Sequence, residues 1–245
     1  MDVTVVASDE EMGRIAADRI QAVFTAKPNA VLGVATGSSP MPIYAELIDR
    51  YRKGELSFAQ SRAFMLDEYI GLPLDHPERY RNVIETSIAG PVDFPEGAVQ
   101  GPNGNAEDPE AAAAQYDASI KAAGGVDIQI LGIGSDGHIA FNEPGGALDS
   151  RTHVGVLTEQ TRRDNARFFV GDIDQVPTHC MTQGLGTIME ARSIVLVAQG
   201  EGKAQAIRDM IEGPISEDCP ASVLQNHPDV LILVDQAAAS KLTQH

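Results

Sequence analysis

Ala30-Val31-Leu32-Gly33-Val34-Ala35, followed at once by Thr36-Gly37-Ser38-Ser39-Pro40, decides how this chain is read. Six apolar residues in an unbroken run fit a strand buried on both faces, the habit of a parallel sheet covered by helices. A turn follows, then a helix over 40–52 that opens on Pro40, where a missing N–H costs nothing. Upstream, 3–7 reads as a strand. Ser8, with Glu11 three residues later, carries the capping-box signature of a helix start. Ile15, Ala16, Ile20 and Val23 continue that helix at 3.6-residue spacing.

The same unit recurs downstream. A strand over 62–66 ends at Asp67, a helix spans 77–88, and 91–105 is a Pro/Gly-rich connection. A helix over 108–123 closes on Gly124-Gly125 and is followed by an apolar strand over 126–133. Strands over 193–197 and 230–234 flank a helix over 203–211, and Cys180 is expected in a helix. Strand–helix alternation with apolar strands predicts an α/β chain: a Rossmann-like, doubly wound, mostly parallel sheet with helices on both faces, in a single domain over 1–245. Ligands of such sheets sit beyond the carboxyl ends of the strands, near the point where strand order reverses.

Composition narrows the function classes. Apolar residues make up 43% and charged residues 22%, so nothing points to disorder. Eighteen Lys+Arg against 35 Asp+Glu give a net charge of −17, a surface that repels nucleic acid and anionic membrane. A phosphate ligand would need local compensation from a few cations and backbone N–H groups. Cys180 and Cys219 show neither metal-type spacing nor CxxC, and two cysteines in this length are no disulfide framework. The opening Met1-Asp2-Val3-Thr4-Val5-Val6 lacks a basic segment followed by an apolar core, and no apolar run approaches the length of a membrane span. The expectation is a cytoplasmic protein.

Residues able to do chemistry gather after the strands. Thr36, Gly37, Ser38 and Ser39 offer hydroxyls and N–H groups at a helix start, suited to an anion; the plainer reading is an ordinary strand-to-helix turn. Asp67 in Leu66-Asp67-Glu68-Tyr69 stands where partial desolvation would raise a carboxyl pKa and make it a base for a carbon-bound proton; otherwise it is a cap or a loop acid. Asp136, His138 and Glu143 fall within eight residues of a glycine-rich segment, Gly132-Ile133-Gly134-Ser135-Asp136-Gly137-His138 onward. The glycines are read as letting the backbone approach a ligand. One histidine between two carboxylates suits proton transfer near neutral pH. A metal site is the rival reading, weakened by the lack of a second histidine at ligand spacing. Arg167 and Lys203 are candidate phosphate clamps.

Taken together, these segments resemble the glucosamine-6-phosphate deaminase (glucosamine-6-phosphate isomerase) family. The likeness runs through Ala35-Thr36-Gly37-Ser38-Ser39-Pro40, Met65-Leu66-Asp67-Glu68-Tyr69, Asp136-Gly137-His138-Ile139-Ala140-Phe141-Asn142-Glu143-Pro144, Ser150-Arg151-Thr152, Asn165-Ala166-Arg167-Phe168-Phe169 and Gly202-Lys203-Ala204. The resemblance implies conversion of glucosamine 6-phosphate and water to fructose 6-phosphate and ammonia, without metal or organic cofactor. It implies Asp67 as the base between C2 and C1 and His138 as the ring-opening acid/base, with Asp136 and Glu143 as its partners. The phosphate site falls on Thr36 to Ser39, Arg167 and Lys203, under a mobile lid over about 157–180. Some members are hexamers activated by the N-acetylated sugar phosphate. Where these carry serines and basic residues, this chain has Gly145-Gly146-Ala147 and His153-Val154-Gly155, so the expectation is that such activation is lost. Rival readings are a 6-phosphogluconolactonase, which needs no C2 base, a deaminase for the galactosamine epimer, and a non-catalytic sugar-phosphate sensor.

Overall fold

Ser8 starts the first helix as its sequence predicts. Its Oγ accepts from Glu11 N at 3.2 Å, and the Glu11 carboxylate reaches back to accept from Ala7 N at 2.8 Å. In the computed structural model, which describes residues 1–243, β1 (Asp2–Val6) leads through this cap into α1 (Asp9–Ala26) and on to β2 (Val31–Val34) and α2 (Met41–Arg52). β3 (Arg62–Met65), the three-residue β4 (Asp67–Tyr69), α3 (Tyr80–Ile84) and the short β5 (Val99–Gln100) follow. Then come α4 (Pro109–Ala122), capped by Asp108, β6 (Ile128–Leu131), β7 (His153–Val156), α5 (Glu159–Asn165) and β8 (His179–Thr182). The short α6 (Leu185–Ile188), β9 (Ile194–Ala198), α7 (Ala204–Glu212) and β10 (Val230–Asp235) complete the described chain.

Seven strands form one parallel sheet in the order β1-β10-β9-β6-β2-β3-β5. From β2 the chain builds outward through β3 and β5. It then returns to lay β6 against the other side of β2 and continues through β9 and β10. Strand order therefore reverses between β2 and β6, and the turns that leave these two strands carry Thr36–Ser39 and Gly134–His138. β2, β6 and β9 are buried at every position, so both faces of the sheet are covered. This is the doubly wound fold that the apolar runs predict.

Several local expectations change. β3 ends at Met65, and after Leu66 the chain enters a second, antiparallel sheet in the order β4-β8-β7. Asp67 is thus the first residue of a paired strand and is not a loop acid. Cys180 lies in β8 and is not helical. The helix expected from 77 begins at Tyr80 and widens into a π-turn over Glu85–Ala89, where Gly90 N bonds to Glu85 O. Two- to four-residue strands such as β4, β5, β7 and β8 are too short to leave a periodic trace in sequence.

Helices α1 and α2 pack together at Gly13. A β-carbon built there would lie 2.3 Å from the Pro42 carbonyl oxygen, so the helices cross backbone against backbone. Helix propensity alone favours Gly13→Ala by about 1 kcal/mol. The contact reverses that sign, because a carbonyl cannot rotate away as a side-chain tip can. Gly13→Ala should lower stability by about 1–3 kcal/mol, as overpacked cores do. A thermal melt that rises on this substitution would contradict the packing described.

Candidate active site

Asp67 and the His138 segment are held by the same two residues, Thr182 at the end of β8 and Gln183 just after it. Asp67 pairs with Thr182 across the antiparallel ladder, and Gln183 N donates to Leu66 O at 2.7 Å. The Gln183 side chain donates to Met65 O at 2.9 Å. On the other side, Thr182 Oγ1 accepts from Phe141 N at 3.1 Å, and Asn142 Nδ2 donates to Gln183 O at 2.8 Å. The second sheet therefore clamps the end of β3 to the segment that carries His138 and Glu143.

Asp67 is 7% exposed. Burial, with the negative charge of Glu68 adding to it, pushes its carboxyl up to about 8. Glu68 itself faces away as a structural cap: its carboxylate accepts from Tyr69 N, Tyr80 N and Arg81 N, each at 2.9 Å. It thereby ties the start of α3 to β4. That brings the Tyr80 hydroxyl to 3.2 Å from the Tyr69 hydroxyl, which accepts from Asn165 Nδ2 at 2.9 Å. These hydroxyls lie close enough to Asp67 that its charge raises both of them further above their burial-driven shift. Tyr69, Tyr80 and Asn165 escape the sequence reading as site residues. Tyr69 stands inside the Asp-Glu-Tyr motif, whereas Tyr80 carries no local signal.

His138 Nδ1 lies 2.7 Å from Asp136 Oδ1 and 3.6 Å from Glu143 Oε2. Burial acts to raise the Asp136 carboxyl, and the adjacent imidazole more than reverses this, holding it well below the usual carboxylate range. Glu143 Oε1 accepts from Thr158 N and Thr158 Oγ1 at 3.2 and 3.3 Å, which fixes the carboxylate with Oε2 toward the histidine. The glycines here are not open to a ligand in the way their sequence suggests. A β-carbon on Gly134 would meet the His138 ring at 2.3 Å, and one on Gly137 would meet Cys219 Sγ at 2.7 Å. Gly134 makes room for the histidine itself.

Ser39 of the Thr36–Ser39 turn lies against Gly132, just past the end of β6, and Gly37 has φ +91°. Ser39 does not cap α2; Pro40 occupies the cap and no side chain bonds there. Lys203 is shifted down by burial and is near enough to feel Asp164, Arg167 and Asp136. The Arg167 guanidinium rests 4.7 Å from the Phe168 ring. Lys203 and Arg167 thus approach each other although both are cations, with Asp164 and Asp136 close by. Between Leu157 and Thr178 the chain leaves the sheet. It packs Leu157, Phe169 and Val176 on Tyr69, Leu72 and Phe141 in a small separate apolar cluster. Val170, at φ +56°, is 95% exposed.

Asp67 and the Asp136–His138–Glu143 group are of a kind that can hold and move protons. Residues 7–232 match the family described as glucosamine-6-phosphate isomerases/6-phosphogluconolactonase. The chain belongs to that family. It is 61% identical over 242 residues to the glucosamine-6-phosphate deaminase of Mycolicibacterium smegmatis, covering 99% of this chain and 93% of that protein. The corresponding protein of Beutenbergia cavernae is 62% identical over the same lengths. A solved structure of a monomeric glucosamine-6-phosphate deaminase superposes with TM-score 0.95 at 44% identity, covering 98% of this chain and all of that one. The 6-phosphogluconolactonase of Trypanosoma cruzi shares the fold alone, with TM-score 0.79 at 23% identity over 99% and 97% of the two chains. No helix among the described residues is long and apolar enough to cross a membrane.

A raised carboxyl pKa has a consequence for stability in this isomerase-family chain. The unfolded Asp67 titrates near the ordinary carboxylate value of about 3.9. Below that pH both states are protonated and Asp67 costs nothing. As pH climbs from about 4 to the folded value of about 8, the unfolded state gains its charge while the folded state resists, so stability is lost. Asp67→Asn should therefore raise the melting temperature at pH 8, with the gain shrinking toward pH 4. Equal melting temperatures at both pH values would show that Asp67 is not desolvated.

Proposed function

We propose that this chain is a glucosamine-6-phosphate deaminase that isomerises and deaminates its substrate to fructose 6-phosphate and ammonia by acid–base chemistry. Near-complete alignment with deaminases at 61–62% identity supports the substrate and the reaction. One observation carries the roles: a carboxyl raised to about 8 stands on a strand clamped, through Thr182 and Gln183, to the Asp136–His138–Glu143 triad.

His138, oriented by Asp136 and Glu143, takes the proton of the anomeric hydroxyl and returns one to the ring oxygen, opening the sugar. Asp67 then removes the hydrogen on C2 while the C1 oxygen gains a proton, giving an enaminol. The protonated Asp67 delivers its proton to C1, and the electron pair of nitrogen forms the C2 iminium. Water adds at C2, one proton passes from that oxygen to nitrogen, the C–N bond breaks as ammonia leaves, and the oxygen gives its remaining proton to solvent to form the ketone. Thr36, Gly37, Ser38, Ser39, Arg167 and Lys203 hold the phosphate away from the reacting carbons, so that binding energy orients C1 and C2 over one carboxylate. The segment 157–178 acts as the lid, and the strand residues His179 and Cys180 belong to its fixed base. Gly145-Gly146-Ala147 and His153-Val154-Gly155 line a cavity to which no Lys or Arg contributes, which supports the reading that an N-acetylated sugar phosphate does not activate this chain. The free, buried cysteines Cys180 and Cys219 suit a cytoplasmic setting.

Asp67 works as a base only when ionised. The acid limb of kcat/KM should therefore fall with an apparent pKa displaced from the carboxylate range toward 8. Asp67→Asn should lose roughly 10²–10⁴-fold in kcat while retaining substrate binding. An ammonia-release assay measures both. An acid limb near pH 4, or a variant that turns over at the wild-type rate, would remove Asp67 from the reaction.

A further inference from the structure

Two buried atoms of the triad make no hydrogen bond of good geometry: His138 Nδ1, whose close partner is Asp136 Oδ1 at 2.7 Å, and Glu143 Oε2, 3.6 Å from that same nitrogen. Buried polar atoms are nearly always satisfied, so a pair of them facing each other calls for an explanation. Each of Asp136, His138 and Glu143 offers one ligand atom, and these atoms lie within 4.8 Å of one another. The separations of 2.7 and 3.6 Å from Nδ1 bracket the roughly 3.0–3.4 Å edges between ligands of a cation bound at zinc-type distances. The ligands are also held in place. Asp136 Oδ1 accepts from His138 N at 3.1 Å, and Thr158 fixes the far oxygen of Glu143. A carboxylate–imidazole–carboxylate set with imidazole nitrogen suits zinc or cobalt better than magnesium or calcium. The net charge of −17 opposes an anionic substrate but draws divalent cations to the chain.

We propose that Asp136, His138 and Glu143 bind a zinc- or cobalt-type dication, and that this ion inhibits the enzyme by occupying the position of the proton relay. The ion is a competitor and takes no part in turnover. Its three protein ligands leave the remaining coordination positions to solvent, and binding at Nδ1 leaves the imidazole proton on Nε2, so the ring can no longer take the anomeric proton. Only the inhibition rests on the proposed reaction; the binding does not.

The test is titration of tag-free, metal-stripped protein with Co²⁺, followed by visible absorption and equilibrium dialysis, then displacement by Zn²⁺. One Co²⁺ per chain with the intense bands of four- or five-coordinate cobalt is expected, tightening as pH rises because the ligands must lose protons. His138→Ala and Glu143→Gln, each verified as folded by circular dichroism, should lose the bands and weaken binding at least about tenfold. His153→Ala, which removes a histidine outside the triad, should change nothing. Zn²⁺ should abolish ammonia release competitively with the sugar phosphate, and a chelator should restore it. Absence of a saturable site, or a site that survives both triad substitutions, overturns the proposal. Binding at the triad without loss of turnover overturns the inhibition alone. Binding at the triad in a chain that releases no ammonia from glucosamine 6-phosphate overturns the deaminase reading instead.

Discussion

A carboxyl group cannot be taken out of water cheaply, and Asp67 is the place where this chain does so. The burial follows from backbone pairing. Asp67 opens β4, β4 pairs with β8, and Gln183 just after β8 is tied to both Met65 and Leu66 by its side chain and amide. A residue pinned on both sides in this way cannot swing out to solvent. Its neighbour Glu68 has a different solution, accepting three backbone N–H groups, although burial still raises it. Adjacent carboxylates thus end in opposite situations, one hydrogen-bonded into the frame of α3 and one left poor in donors. That contrast separates a structural acid from a proposed base.

The remaining site geometry follows from the same clamp. Thr182 and Gln183 hold the Phe141–Asn142 stretch, so the turn that leaves β6 is fixed relative to β4. The parallel sheet supplies the other coordinate, because β2 and β6 are neighbours at the reversal of strand order and their turns stand side by side. A glycine is required at Gly134, beneath the His138 ring, whereas a β-carbon at Gly132 would make only ordinary contact with Ser39. Nearby, Gly184 packs so closely on the Ser150 and Arg151 carbonyls that a β-carbon would lie 2.1 Å from one of them. The Ser150-Arg151-Thr152 segment is anchored further by Asp117, which accepts from both Arg151 and Thr152. Its place in the family's motif pattern therefore has a packing explanation here.

How much of this could be read from sequence depends on the length of each signal. The long apolar runs at β2, β6, β9 and β10, and the caps at Ser8 and Asp108, state their structure locally, and the sheet and most helices follow from them. The second sheet leaves no local trace, because β4 has three residues and its partner β8, which also pairs with β7, lies more than 100 residues further along the chain. For the same reason Cys180, in β8, carries no local strand signal. Asp136, His138 and Glu143 stand out in the sequence as a candidate group because they fall within eight residues of each other. Tyr80 and Asn165 do not, since only tertiary packing brings them to Tyr69. The glycines were noticed but misassigned: what approaches Gly134 is the protein's own histidine.

If a single, solvent-shielded carboxyl group carries hydrogen from one carbon to the next, part of that hydrogen must survive the journey. The direct measurement is to supply glucosamine 6-phosphate deuterated at C2 in ordinary water and to analyse the fructose 6-phosphate by mass spectrometry and NMR at partial conversion. Deuterium found at C1 of the product, in a fraction above solvent background, is the outcome this account predicts. Complete loss of the label to water, with unlabelled C1 throughout, would contradict a sealed Asp67 acting as the shared base.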